Sequence, residues 1–220
     1  MNILITGSSG FVGSHLQSAL SKKYDNVVGL TRKYTEDNKS CYCELSRPKM
    51  TETIIGHYNP DLVIHCAANP KPKHPDDPVG MLEDNVTTTL NLLESVKPGT
   101  KFIFLSSVLV YGDSFPLILP TNLYGATKVA SEALVTAYSK LKDLEVTSIR
   151  MCAVVGPGTT HGLLYDLKRK ISSDSEYLEL FGDEPGTIKP YAHIDDLTNY
   201  ISNLINEYID QQTNVFVDAG

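Results

Sequence analysis

Short apolar runs alternate with longer amphipathic stretches along this chain. The runs predict buried β-strands over Ile3–Thr6, Asn26–Leu30, Leu62–Cys66, Phe102–Ser106 and Val146–Ile149. Polar and apolar residues do not alternate within these runs, which is typical of strands in a parallel sheet that is covered on both faces.

Helical periodicity fills much of the sequence between these strands. Residues 80–96 repeat leucine or valine at spacings of four, four and three, which places those side chains on one helical face. Two more helices are predicted over residues 123–141 and 195–208, and a last strand over residues 214–217. The alternation of strand and helix predicts an α/β fold with a doubly wound parallel sheet of the Rossmann type.

A glycine-patterned turn follows the first predicted strand. Gly7, Gly10 and Gly13 are spaced three residues apart, and a helical pattern follows them. Glycines let the backbone approach phosphate groups, and a helix N-terminus offers free N–H groups and partial positive charge. The turn is therefore predicted to hold a dinucleotide diphosphate.

Two further motifs carry groups suited to proton transfer. Tyr124 and Lys128 are four residues apart on a predicted helix, which puts them on one face, one turn apart. A phenol has an ordinary pKa of about 10, and a neighbouring ammonium lowers that pKa by favouring the phenolate. Ser106 and Ser107 end a predicted strand, where a hydroxyl can hydrogen-bond a substrate oxygen or only satisfy nearby backbone groups. Each motif taken alone has a high false-positive rate.

The order of the motifs is more informative than any one of them. The glycine turn is followed by DLVIHCAA at residues 61–68, SSVLVYG at 106–112, YGATK at 124–128 and GPG at 156–158. This series resembles the extended short-chain dehydrogenase/reductase superfamily, specifically its NAD-dependent epimerase/dehydratase family, which acts on nucleotide sugars. The resemblance covers nearly the whole chain.

The resemblance implies which residues form the site. Ser107, Tyr124 and Lys128 match the catalytic positions, and Ser107 and Lys189 are expected to contact the substrate. Lysine at position 189 keeps the charge of the arginine that the family often has there, but not its bidentate fork. No metal is expected. The cofactor is expected to contact Gly7, Ser9, Gly10, Phe11, Val12, Gly13, Thr31, Arg32, Glu44, Leu45, Ala67 and Ala68, in addition to Tyr124 and Lys128.

The cofactor is predicted to be NADP or NAD, with a slight preference for NADP. Family members that use NAD usually end the second strand with an acid that binds the ribose hydroxyls. Here that strand leads into Thr31, Arg32 and Lys33 instead. The two basic side chains could pair with a 2′-phosphate. The alternative is that they are solvated residues of a loop.

Three functions remain open. The first is a nucleotide-sugar epimerase that oxidises and re-reduces C4 through Ser107, Tyr124 and Lys128. The second is an NADPH-dependent reductase of a keto-sugar or another carbonyl compound, and the third is an inactive NAD(P)-binding sensor or interaction protein. The resemblance also implies that elimination chemistry is absent, because Val108 and Leu109 stand where dehydratases carry an acid pair.

The alternation of elements loosens after the GPG motif. We therefore predict a dinucleotide-binding domain over residues 1–158, a small, shortened substrate lobe over 159–193, and a helix and strand over 194–220 that return to the sheet. The helical stretches 80–96 and 123–141 could pair two copies of the chain, since family members often dimerise through two helices.

The composition argues against some classes of binding partner and indicates the cellular compartment. A formal net charge of −7 over 220 residues argues against a nucleic-acid or anionic-membrane surface. The four cysteines, Cys41, Cys43, Cys66 and Cys152, lack the second half of a metal site and are predicted to be reduced, mostly buried thiols. With neither a signal peptide nor a spanning segment visible, the cytoplasm is expected.

Overall fold

The computed structural model describes residues 1–33, 39–70, 77–173, 189–207 and 215–219. Residues 174–188 of the predicted substrate lobe lie outside the described residues, so the predicted three-part division of the chain stays a prediction. Residues 208 and 214, the predicted ends of a helix and a strand, also lie outside them. No helix in the described ranges is long and apolar enough to cross a membrane.

Nine strands are formed by the described residues. They are β1 (Ile3–Thr6), β2 (Val27–Thr31), β3 (Ser40–Tyr42), β4 (Leu62–His65), β5 (Lys101–Ser107), β6 (Glu145–Met151), β7 (Ala153–Val155), β8 (Tyr191–His193) and β9 (Val215–Ala219). Seven of them form one parallel sheet in the order β3-β2-β1-β4-β5-β6-β9, and β7 pairs separately with β8. Every predicted strand is present, and its ends lie within two residues of the prediction.

The helices are α1 (Phe11–Leu20), α2 (Pro48–Tyr58), α3 (Pro78–Leu82), α4 (Thr88–Ser95), α5 (Leu123–Leu141), α6 (Leu163–Ile171) and α7 (Ile194–Glu207). A π-helical turn over Glu83–Thr87 joins α3 to α4, so one wider turn interrupts the helix predicted over residues 80–96. The sequence pattern missed α2, α6, β3 and the β7–β8 pair. The strands in that set have three residues each, which is too short for a periodicity to show.

Helices cover both faces of the large sheet. Because neighbouring residues of a strand point to opposite faces, Ile3 and Ile5 pack into one core while Leu4 packs into the other. The first core includes side chains of α1 and α7, and the second includes side chains of α2, α4 and α5. The predicted doubly wound α/β fold is confirmed.

A crevice opens where the strand order reverses. β1 pairs with β2 on one side and with β4 on the other, so the connections that leave these neighbouring strands go to opposite faces of the sheet. Ligands of open α/β sheets bind at such a point, outside the carboxyl ends of the strands. The glycine turn that follows β1 therefore lies where a ligand site is expected.

Candidate functional site

Glycine is required at two positions of the turn after β1. Gly7 has a φ of +66°, and a Cβ there would lie 2.8 Å from the backbone of Ala67, which follows β4. A Cβ on Gly13 would lie 2.3 Å from the carbonyl oxygen of Gly7, so only glycine lets α1 start this close to the strand. The turn thus brings the N-terminus of α1 to the carboxyl end of the sheet.

The start of α1 fits an anionic group. Its cap residue, Gly10, makes no side-chain hydrogen bond, and no acidic residue lies in the first turn. The first N–H groups of a helix have no carbonyl one turn earlier, so Phe11 and Val12 present donors at the positive end of the helix dipole. These donors beside the glycine cradle suit a dinucleotide diphosphate.

Two clefts meet at this turn. The first cleft, on the β2 side, is lined by Gly7, Ser9, Gly10, Thr31, Arg32, Lys33, Glu44, Leu45, Ala67, Ala68 and Asp84, among others. The second cleft, on the β6 side, is lined by Gly7, Gly10, Phe11, Val12, Gly13, Tyr124, Lys128, His161, Lys189 and Tyr191, among others. Every predicted cofactor residue therefore lines one cleft or the other, although its binding role stays a prediction.

Lys128 is buried at the second cleft. The residue is 3% exposed, and its Nζ donates a hydrogen bond to the carbonyl oxygen of Leu105 at 2.7 Å. The same ammonium lies 4.7 Å from the centre of the Phe104 ring, within cation–π range. Burial disfavours the charged form and lowers the pKa of Lys128 from 10.5 to about 8. The side chain is therefore still mainly charged at neutral pH.

Tyr124 lies one turn before Lys128 on α5, as the spacing predicts. The Nζ of Lys128 is 5.7 Å from the centre of the tyrosine ring. Burial raises the pKa of the Tyr124 phenol to about 12, which is opposite to the direction expected from the sequence. That expectation was wrong because it counted the neighbouring charge and not the loss of water around the phenol.

The two predicted substrate contacts differ in their placement. Ser107 is 9% exposed at the end of β5, and its hydroxyl oxygen accepts the N–H of Leu109 at 3.2 Å. Its side chain is not part of the lining of the second cleft. Lys189 is exposed and does line that cleft, with its Nζ 5.9 Å from the centre of the Tyr191 ring. The substrate roles of both residues stay predictions.

Arg32, predicted to face a 2′-phosphate, is paired with an acid. Its Nη1 lies 2.7 Å from Oδ1 of Asp84, which belongs to the π-helical turn. The preceding residue, Thr31, donates its hydroxyl to Ser9 at 2.8 Å. Sequence reasoning missed Asp84 because it is 52 residues from Arg32 and reads as one polar position of an amphipathic helix.

A buried hydrogen-bond chain, also missed from the sequence, lies behind the first cleft. Thr89 donates its hydroxyl to the carbonyl of Asn85 at 2.6 Å, so it accepts the bond from Nε2 of His65 at 3.0 Å. Nδ1 of His65 then accepts from Thr6 at 2.7 Å, and Thr6 accepts the N–H of Ala67 at 3.1 Å. Burial lowers the pKa of His65 to about 3, so the imidazole is neutral and acts as a positioning group.

A buried ion pair holds α5 against β6. Arg150 binds both carboxylate oxygens of Glu132, at 3.0 and 2.9 Å. Ser106 donates a further hydrogen bond to Glu132 at 2.6 Å, and Arg150 donates one to the Tyr111 hydroxyl at 2.6 Å. Glu132 follows Lys128 by four residues, a spacing that placed it on the same helix face and could have drawn attention to it.

The four cysteines are free thiols. Cys43 and Cys152 are buried, while Cys41 and Cys66 are half-buried. Burial raises the pKa of the Cys43 thiol to about 11 and that of the Cys66 thiol to about 12, which favours the protonated thiol at neutral pH.

The fold and the site define the class of protein. It is a Rossmann-type protein in which a glycine-rich dinucleotide cradle and a Tyr-x-x-x-Lys helix border one crevice. The chain belongs to the NAD dependent epimerase/dehydratase family, whose sequence model matches residues 3–217. The family resemblance drawn from the motifs is thereby confirmed.

Individual relatives are similar at low identity. UDP-glucuronate 4-epimerase 2 of Arabidopsis thaliana is 26% identical over 234 residues, which cover 90% of this chain and 52% of that protein. The solved structure of a UDP-glucose 4-epimerase from Thermus thermophilus in complex with NAD has a TM-score of 0.80 at 25% identity, covering 99% of this chain and 77% of that one. MoeE5 in complex with UDP-glucuronic acid and NAD has a TM-score of 0.83 at 26% identity, covering 100% and 76%. The chain thus spans about half the length of the Arabidopsis epimerase.

The comparisons bear on the cofactor. The family is NAD-dependent, and both solved structures named above contain NAD. Neither comparison supports the slight preference for NADP that Arg32 and Lys33 suggested.

Proposed function

We propose that the protein is an NAD-dependent 4-epimerase of a nucleotide sugar. The observation that carries the proposal is the second cleft, where Tyr124, Lys128 and the N-terminus of α1 face one space. The names of the relatives support 4-epimerisation, and the UDP-glucuronic acid held by MoeE5 supports a UDP-sugar as the substrate class.

Tyr124 and Lys128 of the second cleft would have different roles in proton transfer. Bound NAD would supply a hydride acceptor for the sugar C4 and return the hydride afterwards. Tyr124 would take the proton of the C4 hydroxyl and later give it back. Because the pKa of its phenol is about 12, Tyr124 is protonated at neutral pH and depends on the positive charge of Lys128 to favour the phenolate.

Ser107 would assist at the reacting oxygen. In its contact with Leu109 the hydroxyl oxygen is the acceptor, so the hydroxyl hydrogen remains available to donate. That hydrogen would be donated to the reacting oxygen of the sugar. Lys189 would contribute charge for the diphosphate of the nucleotide, as a point charge rather than a bidentate fork.

The test is conversion of candidate UDP-sugars in the presence of NAD. UDP-glucose and UDP-glucuronic acid are each incubated with the purified chain, and the C4 epimer is resolved by chromatography and proton NMR. An epimerase forms the C4 epimer without net change in the reduced-nicotinamide absorbance. Stoichiometric loss of that absorbance on adding a keto-sugar would point to the reductase instead, and dinucleotide binding without turnover would point to the inactive sensor.

Tyr124→Phe tests the assigned role of the phenol. The variant is expected to lose at least about a hundred-fold in turnover, the lower range for a general acid–base group, while dinucleotide binding stays within a few-fold of the wild type. Tyr138→Phe is the matched control, because Tyr138 lies on the same helix with its hydroxyl on Glu94, away from both clefts. Full activity in Tyr124→Phe would refute the proposal.

We also propose that two copies pair through α4 and α5, as expected for the stretches 80–96 and 123–141. Light scattering on the eluted protein measures the mass directly. A monomer at all accessible concentrations would contradict pairing and would leave the assignment of the second cleft unaffected.

A further inference from the structure

The first cleft is balanced in charge across its walls. Among its described lining residues, Arg32 and Lys33 are basic while Glu44 and Asp84 are acidic. One basic and one acidic member are joined directly, since Arg32 Nη1 and Asp84 Oδ1 are 2.7 Å apart. The pair links the segment after β2 to the π-helical turn, so it connects two elements that both line the cleft.

Asp84 is the better-fixed partner of the two. Its side chain is 25% exposed, against 58% for Arg32. Its second oxygen accepts a hydrogen bond from Asn69 at 3.4 Å, while the backbone N–H of Asn69 donates to the buried side chain of Asn85 at 2.6 Å. The Asp84 carboxylate is therefore fixed by Asn69, and its position determines where the more exposed Arg32 guanidinium lies.

We propose that Asp84 is a specificity-determining residue that selects NAD over NADP. The inference rests on the dinucleotide binding in the proposed function and assigns the discriminating element. A 2′-phosphate that binds Arg32 would either displace Asp84 or share the guanidinium with it, and in both cases it would bring a second anion close to the Asp84 carboxylate. NAD lacks that phosphate and leaves the ion pair intact. Asp84 thus discriminates between the two dinucleotides by repelling the 2′-phosphate of NADP.

The pair also explains how this chain can do without an acid at the end of β2. In NAD-dependent sites that acid excludes a 2′-phosphate while binding the ribose hydroxyls. Here the acid comes from a different element, and the basic residue that would otherwise attract the phosphate is neutralised by it. The basic Thr31-Arg32-Lys33 segment is therefore compatible with NAD.

The test is a titration of NADH and NADPH on purified protein, followed by nicotinamide fluorescence. The wild type is expected to bind NADH more tightly. Asp84→Asn keeps the shape of the side chain and removes its charge, so NADPH should gain about ten-fold in affinity relative to NADH, the size of one charge-assisted contact. In the double variant Asp84→Asn with Arg32→Ala that gain should disappear, because the freed guanidinium is its source.

Two further variants make the test independent of folding defects. Arg32→Ala alone removes an exposed side chain and should move the affinity ratio the other way, further toward NADH. Asp61→Asn makes the same charge change in a surface ion pair with Lys97, away from the cleft, and should leave the ratio unchanged.

Three results would overturn the inference. They are a wild type that prefers NADPH, an unchanged ratio in Asp84→Asn, and a gain that survives Arg32→Ala. Each of these leaves the proposed epimerisation standing, because a dinucleotide still binds, although a wild type that prefers NADPH would change the cofactor assigned to it. A wild type that binds neither dinucleotide would instead remove the proposed function together with the inference.

Discussion

Lys128 gives this protein a pH dependence of stability that can be worked out from its burial. The pKa of its ammonium is about 8 in the folded protein and 10.5 when unperturbed. Between these two values the unfolded chain holds a proton that the folded chain has released, so the free energy of unfolding rises with pH. Below pH 8 both states are charged, and the cost of the buried charge is fully present.

The expected size follows from the two pKa values. Their separation corresponds to about 3 kcal/mol, gained as the pH rises from near 8 to above 10. Other groups titrate in the same range, so the informative quantity is the difference in unfolding free energy between the wild type and Lys128→Met. Contributions that do not depend on pH, such as the lost hydrogen bond to Leu105, cancel from the change of that difference with pH.

The assay is urea unfolding of both proteins at steps between pH 7 and pH 10.5. Stability of the wild type relative to Lys128→Met should rise across the window by roughly the amount given by the linkage relation. Lys140→Met is the matched control, since Lys140 is exposed on the same helix and its difference should stay flat. A flat difference for Lys128→Met as well would refute the account of a desolvated ammonium.

Two other substitutions test the architecture of the site. Gly13→Ala places a Cβ 2.3 Å from the carbonyl oxygen of Gly7, so it should abolish measurable NADH binding in a fluorescence titration and lower the melting temperature. Gly56→Ala is its control, because a Cβ on this α2 glycine meets nothing within 4 Å and should raise stability by up to about 1 kcal/mol. Glu132→Ala removes the carboxylate that binds the Arg150 guanidinium and should cost about 3 to 5 kcal/mol in urea unfolding, and a loss below 1 kcal/mol would show that the pair is not structural.

Local features of the site could be predicted from the sequence because they depend on short spacings. The separation of Gly7, Gly10 and Gly13 implies the turn, and the spacing of four from Tyr124 to Lys128 implies a shared helix face. The strands could be predicted equally well, since a strand buried on both faces is a continuous apolar run. The order of these features along the chain resembles a known family, and that resemblance indicated which residues form the site.

The tertiary structure decided what those groups experience. The pKa of the Tyr124 phenol rises rather than falls, because desolvation depends on every element packed around the ring and not on the one neighbour visible in the sequence. The same holds for the partner of Arg32. Nothing local to residues 31–33 shows that Asp84 lies within 2.7 Å, since the fold alone brings together positions that are 52 residues apart. Chain spacing thus determines which side chains share an element, whereas packing between elements determines their charge state and their partners.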